Sequence, residues 1–281
     1  MVLEVLELGF MQRALIAGVA VAITASTIGL FLVLRRNSLF GDALSHVAFG
    51  GIAVGLVVNI YPLWTGMLFA LMGALGITKL HHSGKIPADA TVAILLAGGL
   101  ALGLLLSSLS QGGNLVNISS YLFGSILVVS VEDTLTILAM AGAILVIVIL
   151  LYRQFMYVAF DEEQAKVSGL SISKLGYLFA VLASVTVIVS MRLVGILLVS
   201  SLIVIPNITA LLLGKGFKKT ALISVGISIF SVVMGIGVSY AANFPPSATI
   251  VIVLITVFLA TFVTKYSSKK QMTQKLEATR S

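Results

Sequence analysis

From Met11 to Phe262 the chain is a near-unbroken succession of apolar runs, each about as long as a membrane is thick. A helix crossing the hydrocarbon layer needs about 20 mostly apolar residues. Runs of this kind cover 12–34, 41–60, 63–79, 88–109, 134–152, 174–190, 194–213, 220–241 and 247–264. They predict nine spans, and the run boundaries leave eight or ten open. A further apolar piece, 115–130, is short and rich in Ser and Asn, and reads as a re-entrant or surface helix on the outer side. Only 10% of the residues are charged and the mean hydropathy is +1.16. A soluble domain carries about 25% charge to wet its surface. Lipid is therefore the solvent, and the expected fold is all-α, a polytopic transmembrane helical bundle.

No cysteine is present, so neither a disulfide framework nor a thiolate metal site exists. The net charge of +7 points to topology rather than to nucleic acid, because the cations lie between and after the apolar runs. With the N-terminus outside, all 17 Lys and Arg except Arg13 and Arg192 fall on the inner side. Tyr61, Trp64, Tyr240 and Phe244 then mark outer span ends, and Tyr152, Tyr157 and Tyr266 inner ones. Met1 to Phe10 carries Glu4 and Glu7 and no basic residue, unlike a cleavable signal peptide. The expectation is one permease-like domain over 1–281, with its core at 12–264 and a basic cytoplasmic tail at 265–281. The tail reads as a solvated or lipid-facing anchor.

The run from Arg35 to Gly51 carries the most chemistry. Asp42 and His46 are four residues apart, so on a helix they share one face, about 40° apart around the axis. An ionised Asp in hydrocarbon costs roughly 2.5–3.5 kcal/mol, so it needs a partner or a wet path. A carboxylate oxygen and an imidazole nitrogen one turn apart form a two-donor site for a divalent cation. Two readings stand. The pair binds a passing ion, or Asp42 caps the helix and His46 is a core histidine bonded to it. A closed zinc site wants four ligands, and a two-fold dimer would supply a second Asp42 and His46. Gly50, Gly51 and Gly55 permit close helix approach, between copies or within one chain.

Other features read as follows. The stretch 160–169 predicts a short amphipathic helix, acidic in its first turn and closed by Gly169, either a connector or a lever that docks into a partner. Pro206 lies inside an apolar run and should kink it. His81 and His82 lie beside Lys79 and Lys85 and read as a basic loop. Asp89, Glu132 and Asp133 open spans and read as caps. No G-x-x-x-x-G-K-[ST] occurs, so any ATP is bound by another chain. Neither H-E-x-x-H nor G-x-S-x-G is present, and no hydrolytic apparatus is visible.

The runs LVLRRNSLFGDALSH (Leu32 to His46), YLFGSIL (Tyr121 to Leu127), FDEEQAKVSG (Phe160 to Gly169) and VGILLVSSLIVIP (Val194 to Pro206) resemble the zinc and manganese ABC-transporter permeases. The likeness spans Gln12 to Phe262. More distantly the chain resembles the permeases of cobalamin and siderophore importers, with their first helix missing. The resemblance implies a non-enzymatic transport subunit of a bacterial or archaeal plasma membrane. It implies a permease dimer, homodimeric or with a close relative, two cytoplasmic ATP-binding subunits, and an extracellular or periplasmic metal-binding protein. It places the ion beside Asp42 and His46, with Ser45, Gly50, Gly51 and Pro206 shaping the pathway, and the ATPase contact at Asp161, Glu162, Ala165 and Gly169. No cofactor is held permanently; zinc or manganese is cargo. Manganese-type members often carry proline before the glycine at position 50. Phe49 stands there here, and Ser45-His46-Val47-Ala48 looks zinc-type, so zinc is favoured. Many members have glycine after Ser247, where this chain has Ala248, so no role is carried over to that segment. The alternatives are a gradient-driven cation carrier or channel, a permease for another metal or metal chelate, and a membrane enzyme or scaffold.

Overall fold

Hydrocarbon offers no water to an open N–H or C=O, so a spanning segment must close its own hydrogen bonds, which a helix does locally. The computed structural model describes residues 9–83, 86–109, 124 and 130–278, and its regular structure there is entirely helical. In chain order the helices are α1 (Gly9–Leu34), α2 (Phe40–Val58), α3 (Pro62–Ser83), α4 (Ala88–Leu109), α5 (Val131–Leu150), α6 (Tyr152–Phe160), α7 (Glu162–Val167), α8 (Ile172–Val194), α9 (Ile196–Leu212), α10 (Phe217–Ala242) and α11 (Pro246–Ala278). Eight are long and apolar enough to span. The ninth expected span is α9, only 17 residues long, because Gly195 breaks it from α8 at φ +82.

Local chemistry sets the ends. Asn59 and Asn243 close α2 and α10 in the left-handed conformation, at φ 59 and 54, which Asn tolerates better than most residues. Ser130 and Asp133 form a reciprocal capping box that starts α5, each accepting the other's backbone N–H at 3.1 Å. Asp133 is thus a cap, as its position suggested.

Two segments differ from expectation. The connection between the expected spans 134–152 and 174–190 is largely helical, beyond the short helix expected at 160–169. Phe155 and Val158, three apart, bury one face of α6 and hold it against the bundle. Helix α11 runs on to Ala278, well beyond 264, because no Gly or Pro interrupts it and Lys, Gln, Met, Glu and Ala favour helix. The piece at 115–130 lies outside the described residues, apart from Gly124 and Ser130. Gly124, at φ +70, packs on the α8–α9 break, where a Cβ would stand 2.6 Å from the Val194 carbonyl carbon.

Spans in lipid gain little from apolar contact alone, so small residues and buried hydrogen bonds choose the neighbours. Helix α2 lies between α3 and α4. A Cβ at Gly99 of α4 would stand 2.6 Å from the carbonyl of His46, and one at Gly50 3.1 Å from the Gly99 oxygen. On the other side, a Cβ at Gly51 would meet Phe69 and Thr65 of α3 within 2.7 Å. Of the two readings of these glycines, packing within the chain is the one observed. A buried polar clasp joins α1, α9 and α10. Asn207 donates to the Ser26 carbonyl at 3.0 Å, and Ser224 donates to Asn207 Oδ1 at 2.6 Å and lies 3.0 Å from the Ser26 hydroxyl. Asn207 also bonds the Ile203 carbonyl at 2.7 Å, one residue past the Pro206 interruption.

The contact at Gly99 has a built-in control, since a Cβ at Gly98 meets nothing within 4 Å. Gly99→Ala is expected to destabilise the purified protein by about 1–3 kcal/mol through overpacking. Gly98→Ala is expected to be neutral or slightly stabilising. Thermal unfolding in detergent checks both.

Candidate metal site and coupling face

Helix α2 begins at Phe40 with Leu39 in the cap position and no side-chain cap. Asp42 is therefore not the N-cap. It sits in the first turn, where the helix dipole favours a carboxylate. Its Oδ1 lies 3.7 Å from His46 Nε2. That is longer than a hydrogen bond, so the reading of His46 as a core histidine bonded to Asp42 is not what the geometry shows. The Nδ1 atom of His46 is buried and has no hydrogen-bond partner among the described residues. An orphaned buried polar atom costs about 1–3 kcal/mol and points to a functional demand.

The spacing suits a shared cation. Nitrogen and oxygen donors bind zinc at about 2.0–2.2 Å, so two donors on one ion stand at most ~4.2 Å apart. The Asp42 side chain is 26% exposed and that of His46 11%, so the pair opens on the Asp42 side. Among the described residues no group of three or more His, Asp or Glu comes together, so within one chain the site holds two donors. Ser45 is buried and spends its hydroxyl on the Gly41 carbonyl at 2.8 Å. Gly50 and Gly51 pack against neighbouring helices, and Pro206 lies within α9, whose Ile203 packs against Gly41.

The second site is the face around α7. Asp161 caps this helix by accepting the Gln164 N–H at 2.9 Å. Ala165 is fully buried and anchors it, and Gly169, at φ +83, turns the chain out of it. Glu162 approaches Arg35 at 3.7 Å, tying α7 to the segment that leads into α2. Burial pulls the Arg35 guanidinium below its ordinary pKa, and Glu162 pushes it back up. Beneath α7, Phe31, Phe155, Phe179 and Phe217 pack ring to ring, with centroids 5.6–6.2 Å apart, and join α1, α6, α8 and α10. Of the four residues expected to contact a partner, Ala165 is buried and Asp161 half-buried, while Glu162 and Gly169 are exposed. What α7 turns outward is Glu163, Gln164, Lys166 and Val167, the last 90% exposed. A lone valine among polar residues on this short helix is the signal in the sequence for an exposed apolar contact.

A model of the ABC 3 transport family matches residues 7–265, from before α1 into α11. The chain belongs to that family. It is 35% identical to a "Probable metal transport system membrane protein" of Treponema pallidum (strain Nichols), over 90% of this chain and 95% of the relative. It is 29% identical to "Manganese transport system membrane protein MntC" of Listeria innocua, over 92% and 91%. The solved structure "PsaBC from Streptococcus pneumoniae in complex with Fab" superposes with a TM-score of 0.83 at 29% identity, covering 93% of this chain and 94% of that one. The resemblance read from the sequence motifs is borne out at the level of the family and its fold.

Family membership makes the Arg35–Glu162 contact worth a direct measurement. Glu162 is half exposed, so the pair contributes no more than about 1 kcal/mol. Glu162→Gln is expected to speed amide exchange over 165–170 by up to about fivefold and to leave exchange in α2 beyond Gly50 unchanged. Hydrogen-exchange mass spectrometry reads this directly.

Proposed function

We propose that this chain is the membrane-spanning permease of an ATP-driven importer for divalent metal ions, and that the ion passes beside Asp42 and His46. The observation that carries the reading is the 3.7 Å pair itself, two donors in an otherwise uncharged span. The printed names of the relatives, metal and manganese transport systems, support the cargo class. A second copy across a two-fold axis brings four donors to one ion. Helices α4 and α11 are the least buried spans, and α4 packs on α2, so an uncovered apolar face lies next to the pair.

The unit that does this is the bundle over 12–264, with the N-terminus outside and the 265–281 tail cytoplasmic, in a bacterial or archaeal plasma membrane. Two ATP-binding subunits dock on the faces presented by α7, and an extracellular or periplasmic binding protein delivers the ion. The chain works without a resident cofactor, and ATP binds the partner. A push on α7 reaches Glu162 and then Arg35, seven residues before Asp42. The load therefore arrives at the first turn of α2, where the carboxylate sits. A gradient-driven carrier would need further ionisable pairs within the spans as relays, and the pair that the apolar runs offer is Asp42 with His46.

The residues around His46 favour zinc as cargo. Manganese is the second reading, favoured by the names of the relatives. Uptake of one radioactive ion in the presence of excess of the other separates the two.

Asp42→Asn and His46→Ala are each expected to lower ATP-dependent metal uptake in reconstituted vesicles by at least roughly tenfold, the scale of losing a metal contact. Unfolding midpoint and capture of the ATPase subunit should stay as in the unmodified protein. Uptake at full rate by either variant overturns the site assignment. Uptake without ATP overturns the energy source.

A further inference from the structure

An open groove of about 1050 Å³ lies at the α7 end of the bundle, between α6 and the turn that joins α9 to α10. Its walls are largely apolar, made by Tyr152, Met156, Tyr157, Leu170 and Phe217. Its rim carries four cations, Arg153, Lys215, Lys218 and Lys219, all exposed. No acidic side chain lines it, and none of the four has a carboxylate partner among the described residues. The loop that presents three of them is held from behind. Lys265 donates to the Leu213 carbonyl at 3.4 Å, Thr220 donates to the Lys215 carbonyl at 3.0 Å, and Gly214 makes the turn at φ +62.

The chemistry asked for is an amphiphile with a negative head. Four like charges around one opening repel each other and are relieved by an anion, while the apolar wall below them matches an acyl chain. The position agrees. Just into the bundle from this rim, Ile149 and Leu150 at the end of α5 and Leu222 of α10 are 71%, 76% and 73% exposed, as lipid-facing residues are. Tyr152 and Tyr157 lie where aromatic side chains mark the boundary between headgroups and tails. The outward face of α7, by contrast, is formed by residues outside this groove.

We propose that this groove holds the phosphate headgroup of an anionic glycerophospholipid from the leaflet on the α7 side, with a tail along α5 and α10. The cations bind the phosphate, the tyrosines set its depth, and the bound lipid braces the α9–α10 turn against α6. The proposal is independent of the cargo and of the Asp42–His46 assignment. Each cation near an anionic lipid surface strengthens attachment roughly fivefold.

The test is native mass spectrometry of the full-length protein in detergent, titrated with phosphatidylglycerol and, in parallel, with phosphatidylcholine. The unmodified protein is expected to retain phosphatidylglycerol preferentially and to lose that preference as salt is raised. The triple variant Lys215→Ala, Lys218→Ala, Lys219→Ala is expected to retain it at least about tenfold less, with phosphatidylcholine unchanged. Arginine at all three positions should restore it. If the alanine variant does not fold, the salt series and the arginine variant decide alone. Equal retention of the two lipids by the unmodified protein overturns the proposal, as does unchanged retention in a folded alanine variant. So does inorganic phosphate binding the rim with no lipid preference, which assigns the site to a free anion. Loss of ATPase-subunit capture with lipid retention intact identifies the rim as a protein contact and overturns it too.

Discussion

The backbone-to-backbone approach of α2 and α4 is the constraint on which the candidate site depends. Gly99 lies so close to the His46 carbonyl that even a methyl group would clash, and Gly50 returns the contact one turn on. With Gly51 set against Phe69 and Thr65 of α3, α2 is gripped from two sides. It has no freedom to rotate the Asp42–His46 face away. In lipid this grip matters more than it would in water, because apolar side chains lose nothing by facing the solvent and close packing must supply the selectivity. Polar side chains in the span stay in place because the glycines around them leave no alternative seat for the helix.

The rest of the bundle is fixed around that helix by a few polar and aromatic contacts. The Ser26–Asn207–Ser224 clasp fixes α1 to α9 and α10 where Pro206 would otherwise leave α9 loose. At the α7 end the phenylalanine cluster joins α1, α6, α8 and α10, and the Arg35–Glu162 contact ties α7 to the segment that leads into α2. The ion pair is worth little as stability. It does link the exposed helix α7 to the segment that precedes Asp42. The buried aromatic rings resist compression, as close-packed interiors do.

Much of this was legible in the residues. The apolar runs located eight long spans and the shorter α9, because bilayer thickness demands a run length that few soluble folds imitate. Helical spacing put Asp42 and His46 on one face, and the motif runs gave the family. Less legible were features that depend on which helices meet. Gly98 and Gly99 are indistinguishable in the sequence, yet one touches backbone and the other meets nothing. The stretch after Leu150 looked like a polar loop because Tyr152, Arg153 and Gln154 hide the two positions, Phe155 and Val158, that bury α6. The run of α11 to Ala278 shows the opposite error, since basic composition was read as a tail although its residues favour helix.

The sequence by itself determined that this chain lives in lipid, that it crosses the layer many times, and that one carboxylate and one imidazole ride together on an early span. Those facts follow from transfer energy and from the pitch of a helix, both of which are local. The tertiary structure alone decided that His46 keeps a nitrogen unpartnered among the described residues, that Glu162 reaches Arg35, and that four cations ring one groove. Each of those is a meeting of residues far apart in the chain, and in a bundle held by small-residue contacts no local rule says which faces meet.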